Sequence, residues 1–364
     1  MAYKSKAIAN HPSPETDLLG FVLLQFVIPE FASTMTMNAY QTGLVFGSIA
    51  YVIWGLSAIY WKQLDQLPAM QLLCHRIVWA FPIAVAALVY SGHAPAMTQA
   101  VKWTTLAFYL VSASLLFVNL YVSIWAANAG FIVELSLGYF TSPLVSVLLG
   151  VLVLRERLRF WQWVAVALVF SGLATVTFLY GKFPWIAVVL ALDFGFYALL
   201  QKKAPLLSVQ GIAIEMFYLT IPCAAYLITL QAQGTAAFGH VSIGYDFLMV
   251  GLGVLTITPQ LLFSTAIRCI PMTIMGLLQF IGPTLNILTG VVIYKEAFRL
   301  SRSIGFIQVW VALAIYTWDI FRAAAAMKTT EMDIDDVHVD VVSTPRDDDS
   351  IEDNTDYIPH ANQV

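Results

Sequence analysis

The sequence predicts an all-α integral membrane protein whose ten transmembrane helices form two inverted five-helix repeats. Three observations carry this. A mean hydropathy of +0.77, with 59% hydrophobic and 11% charged residues, exceeds what a soluble domain needs to fill its core, so lipid must be the solvent for most of the chain. Ten apolar stretches are each close to the roughly 20 helical residues that cross a hydrocarbon core of about 30 Å. The third observation is a duplication. When residues 41–180 are laid on 181–320 at a constant offset of 140, Gly55 meets Gly195, Lys62 meets Lys202 and Pro82 meets Pro222. In the same register Phe140 meets Phe280, Pro143 meets Pro283, Gly150 meets Gly290 and Glu156 meets Glu296.

The ten stretches lie at 41–61, 69–91, 104–127, 131–154, 160–180, 183–201, 207–230, 244–268, 271–294 and 300–322. Backbone groups in lipid must be satisfied within their own segment, and runs this long suit helices, whereas barrel strands would show about ten alternating residues. Each repeat, 41–180 and 181–320, holds five spans. An odd number forces the second copy to enter the bilayer upside down, which is the sequence mark of an alternating-access transporter.

The net charge of −4 belongs to one end of the chain. Of the 22 acidic residues, 11 follow Met327, whereas residues 37–327 carry 14 Lys and Arg against 8 Asp and Glu. Residues 323–364, with their run Asp347, Asp348, Asp349, read as an acidic disordered cytoplasmic tail. Cys74, Cys223 and Cys269 fall in apolar spans without CxxC spacing and read as small buried hydrophobes. Residues 1–36 read as an N-terminal extension outside the membrane part. Their apolar run Leu18–Ile28 is too short to span, and Glu30-Phe31-Ala32 is a poor signal-cleavage site.

Ten spans place both termini on one side. Loops on that side carry twelve Lys and Arg, including Lys102, Arg155, Arg157, Arg159, Lys202, Lys203 and Arg268. The opposite side has five: Lys62, Lys182, Lys295, Arg299 and Arg302. By the positive-inside rule both termini are cytoplasmic, in a plasma or inner membrane.

Specific strings resemble a known family. Tyr60-Trp61-Lys62 leading to Cys74-His75-Arg76-Ile77-Val78-Trp79, the run Glu134-Leu135-Ser136-Leu137-Gly138-Tyr139-Phe140-Thr141-Ser142-Pro143-Leu144, and Pro184-Trp185 leading to Phe194-Gly195-Phe196-Tyr197 are similar to RarD-type proteins of the EamA family, in the drug/metabolite transporter superfamily. The likeness covers 41 to about 320. Departures are Asp193, where the family usually has a small neutral residue, and Arg155 and Lys295, where many relatives have Gly. The resemblance implies a ten-helix permease of small organic molecules.

Ionisable groups within spans cost about 2.5–3.5 kcal/mol each at mid-membrane, so each needs a partner or a purpose. Five stand out: His75, Arg76, Glu134, Asp193 and Glu215. At 1.5 Å per residue Arg76 lies about 10 Å and Glu134 about 5 Å below the outer starts of their spans, so the two can pair. Such a pair can clamp two helices, or bind the charged end of a zwitterion. Asp193 is the alternative partner of Arg76. His75 and Glu215 occupy equivalent repeat positions, which favours a site at the repeat interface and offers two proton carriers for antiport.

Pro143 and Pro283 should each free the carbonyl one turn earlier, at Tyr139 and Gln279, with Ser146 and Asn286 further along the same faces. Tyr139, Ser146, Gln279 and Asn286 are therefore expected to line a cavity or to join helices. Glu156 and Glu296 are expected to pair locally with Arg155, Arg157 and Lys295 at the membrane boundary. No GxxxxGK[ST], HExxH or GxSxG occurs, so energy must come from gradients and not from a built-in ATPase.

The sequence thus predicts a secondary transporter of small organic metabolites or drugs, working by alternating access in the direction of export. It is not read as an enzyme, and no cofactor or metal is expected. Its partners are the lipid bilayer and a small-molecule solute, with protons as candidate coupling ion and no nucleic acid. The reading that competes is a membrane-embedded enzyme using His75, Arg76 and Glu134 on a lipid or isoprenoid phosphate.

Overall fold

The computed structural model describes residues 38–295, 308, 310–312, 314–319 and 322, and the statements below concern these residues. The order is α1 (Ala39–Lys62), α2 (Ala69–Tyr90), a short α3 (Ala94–Ala100), α4 (Trp103–Asn128), α5 (Ile132–Leu152), α6 (Phe160–Tyr180), α7 (Trp185–Lys202), α8 (Ser208–Ala232) and α9 (Ile243–Cys269). A broken helix follows as α10 (Met272–Leu278) and α11 (Ile281–Leu288), continued by a π-turn over Thr289–Ile293. Eight helices are long and apolar enough to cross a membrane. The expected fifth span forms α6, whose apolar part Phe160–Gly172 is shorter than a crossing helix. The expected tenth, 300–322, lies largely outside the described residues, as do 1–36, Glu296, Arg299, Arg302 and the acidic tail.

Helix α1 begins where the sequence supplies a reciprocal cap: Asn38 Oδ1 accepts from the Gln41 amide at 2.9 Å, and Gln41 Oε1 accepts from the Asn38 amide at 3.1 Å. Helix α9 packs on α1 and α2, α2 packs on α8, and α5 packs on α7. Small side chains bring these axes close, since lipid offers no hydrophobic drive between helices and close contact must supply it. Ala50, Ala80, Ala84, Ala113 and Ala266 are all essentially inaccessible in the core. Cys74 and Cys223 are buried and all three cysteines are free thiols, as expected.

The two prolines act differently. Helix α5 runs unbroken through Pro143, where the hydroxyls of Thr141 and Ser142 donate to the carbonyls of Leu137 and Gly138 at 2.7 and 2.8 Å. The equivalent positions before Pro283 are Ile281 and Gly282, which have no hydroxyl, and there the helix parts at Gln279–Phe280. The break redirects the chain. Helix α10 packs on α5, with Gly276 so close that an added Cβ would lie 2.9 Å from the Pro143 carbonyl oxygen, whereas α11 packs mainly on α1.

The described residues from Ala314 on belong to a second unit, in which the Arg322 guanidinium sits 5.3 Å from the centre of the Trp318 ring.

Candidate functional site

The helices alternate in direction, so one end of the bundle carries Lys62 and the other Lys202. Arg76 lies in the half of α2 nearer the Lys62 end. Its Nε donates to Thr256 Oγ1 on α9 at 3.1 Å, and its guanidinium lies 5.3 Å from the centre of the Trp61 ring. The pairing expected from sequence does not form with either acid. Glu134 is buried at the start of α5 and accepts from the Ile186 amide at 3.1 Å, so its carboxylate caps the N-terminus of α7. Asp193 is buried beside Asn119, with Oδ2 unpartnered, and Asn119 donates in turn to the Leu190 carbonyl.

His75 stacks on Phe238, with ring centres 5.2 Å apart and Nδ1 buried without a partner. Its repeat counterpart Glu215 sits in the Lys202 half of α8, wholly buried, and shares no partner with it. Tyr197 Oη donates to Glu215 Oε2 at 3.2 Å and Gln201 Nε2 to Oε1 at 2.7 Å. Gln260 bonds to the Tyr197 hydroxyl, Ser264 to Gln201 Oε1 at 2.9 Å, and Arg268 to the Leu206 carbonyl and Ser264. Sequence reasoning missed this network. Its signal was present as Gln201, Gln260, Ser264 and Arg268 at near-helical spacing on apolar helices, a polar stripe that lipid would not tolerate facing outward.

Glu156 was also misread. Instead of pairing with Arg155 or Arg157, its carboxylate accepts from the amides of Met272 and Thr273 at 2.7 and 2.8 Å and caps α10 at the Lys202 end. Lys202 bonds to the nearby Ile270 carbonyl.

The four polar residues around the two prolines fall into two unlike pairs. Ser146 and Gln279, both buried, meet through Oγ and Oε1 at 3.3 Å. Tyr139 and Asn286, their equivalents across the offset, are both exposed. Tyr139 faces Ser123 and lies within electrostatic reach of Arg76. Between the two pairs, Phe140 and Phe280, which are themselves equivalent, face each other with ring centres 6.4 Å apart.

Apolar helices of membrane-crossing length, with ionisable and amide side chains turned onto one another inside the bundle, define a multi-pass membrane protein. The chain belongs to the EamA-like transporter family, whose model matches residues 41–178. It is 38% identical over 288 residues to Protein RarD of Streptomyces exfoliatus, covering 79% of this chain and 91% of that one. Against the uncharacterized transporter YojE of Bacillus subtilis the identity is 36%, covering 79% and 98%. A more distant relative, at 28% identity over 77% of this chain and 95% of its own, is the chloramphenicol-sensitive protein RarD of Pseudomonas aeruginosa. One protein of known crystal structure superposes with a TM-score of 0.61 at 16% identity, covering 78% of this chain and 99% of its own, which establishes a shared fold.

Proposed function

We propose that this chain is a secondary active transporter of small organic metabolites or drugs, built as two inverted five-helix repeats and working by alternating access. The observation that carries the reading is the unlike state of two equivalent pairs: Ser146 and Gln279 touch, while Tyr139 and Asn286 stand exposed. In an inverted repeat the offset exchanges the two pairs and the two membrane sides, so a closed pair on one side and an open one on the other is the signature of one-sided access. Contact between Phe140 and Phe280 fits a pseudo-twofold axis passing between them.

The excess of Lys and Arg on the Lys202 side supports a cytoplasmic placement for that end and for both termini, in the plasma or inner membrane. The closed pair is then cytoplasmic, and the exposed pair lies towards the outside. Export is the proposed direction. Protons are the candidate coupling ion, with Glu215 and His75 as carriers, and abolition of transport by a protonophore is the corresponding measurement. Transporter names among the relatives support a carrier over an enzyme acting on a lipid phosphate.

Labelling tests the reading without knowledge of the solute. In a cysteine-free background an impermeant maleimide should reach Asn286→Cys from outside intact cells, and Ser146→Cys only from the cytoplasmic face and slowly. Lys202→Cys should remain unlabelled from outside. Simultaneous fast labelling of position 146 from both faces would mean an open pore, and alternating access would be abandoned.

A further inference from the structure

We infer that the guanidinium of Arg76 is the receptor for the negative group of the transported solute, and that this solute is a monoanionic organic compound such as a carboxylate. The inference rests on the carrier reading above. A guanidinium in an apolar span is held at a cost unless an anion compensates it. In this structure each carboxylate of the first compact unit that is described is engaged elsewhere. Asp65 pairs with Lys62 at 3.0 Å, and Glu134 and Glu156 cap α7 and α10. Asp193 lies beside Asn119, Glu215 takes Tyr197 and Gln201, and Asp246 accepts from the Gly239 amide at 2.8 Å.

Arg76 is positioned without being neutralised. Thr256 fixes Nε and the Trp61 ring covers one face, leaving the terminal Nη edge free in a residue that is only partly buried. That edge is the one a carboxylate meets with two parallel hydrogen bonds. Tyr139, exposed and within electrostatic reach on a different helix, adds a neutral hydroxyl on the same side of the bundle. One guanidinium matches one carboxylate, and Lys62 at that end is already bound to Asp65 at 3.0 Å.

The experiment uses the full chain in lipid nanodiscs, melted with benzoate, phenylacetate and hexanoate and with the matching neutral amides. Ligand that binds only the folded protein raises the melting temperature in proportion to the logarithm of its concentration over Kd. The expected result is a rise with at least one carboxylate and not with its amide. Arg76→Gln should abolish the rise, and Arg76→Lys, which keeps charge but loses the fork, should retain part of it. Arg76→Gln alone should melt no lower than the natural protein, because an uncompensated charge leaves the span. Three results would overturn the inference: no carboxylate-specific rise, a rise that survives Arg76→Gln, or a markedly lower melting temperature for Arg76→Gln without ligand, which is the mark of a structural arginine. None of them bears on one-sided access, which the labelling at positions 146 and 286 measures independently.

Discussion

Arg155 and Lys295 stand 140 residues apart and share a backbone state that side-chain-bearing residues rarely adopt, with φ of 57° and 54°. A residue with a Cβ costs about 1 kcal/mol more than glycine in this left-handed region. The turn at Arg155 brings the Glu156 amide back to the Gly150 carbonyl at 3.0 Å and aims the Glu156 carboxylate at α10. Gly150 is small for the same reason: a Cβ there would lie 2.9 Å from Glu156 Oε2 and 3.2 Å from the Thr273 amide nitrogen. Replacing Arg155 by Gly should therefore raise stability by roughly 1 kcal/mol, read as a higher melting temperature in nanodiscs. Gly150→Ala should lower it, by pushing the carboxylate off the helix end. A fall for Arg155→Gly would show that the arginine side chain holds the turn through contacts that outweigh its backbone strain.

Among the elements, the broken helix α10–α11 depends most on a single distant residue. Helix α10 has seven residues, too few to be stable alone, and its first two amides are satisfied by Glu156 from the far end of α5. Glu156→Ala should cost about 1–2 kcal/mol at this cap, and Glu156→Gln about 1 kcal/mol because one acceptor survives without the charge. The loss should fall on the Lys202 end, the closed end in the proposed reading, so Ser146→Cys should label faster in the Glu156→Ala background. Unchanged labelling would mean that the cap does not hold this end shut. The helices themselves were legible in the sequence, because lipid demands long apolar runs and Asn38, Pro184 and Pro271 mark their starts. Pro283 was legible as a break. Pro143 was read in the same way, yet helix α5 runs on through it. The partners of Glu134 and Glu156 were illegible for another reason. Sequence reading matches charges with charges, and here both carboxylates found backbone amides at helix ends that only tertiary packing brings near.

At the scale of the whole molecule, the proposed alternating cycle defines what the opposite state would look like. If the repeats swap roles, Tyr139 and Asn286 close to the distance now held by Ser146 and Gln279, and the latter pair separates. A disulfide needs Cα atoms within about 7 Å, so cysteines at these positions report the closure directly. In a chain with Cys74, Cys223 and Cys269 replaced by Ala, the pair Ser146→Cys with Gln279→Cys should cross-link readily and hold the molecule in the state described here. The pair Tyr139→Cys with Asn286→Cys should cross-link more slowly, at a rate set by the population that has switched, because the disulfide traps only molecules that reach the second state. Either bridge should stop solute exchange in proteoliposomes, and a reductant should restore it. Full exchange with the second bridge intact would show that positions 139 and 286 never alternate, and the twofold exchange would then be a relic of duplication and not the working cycle.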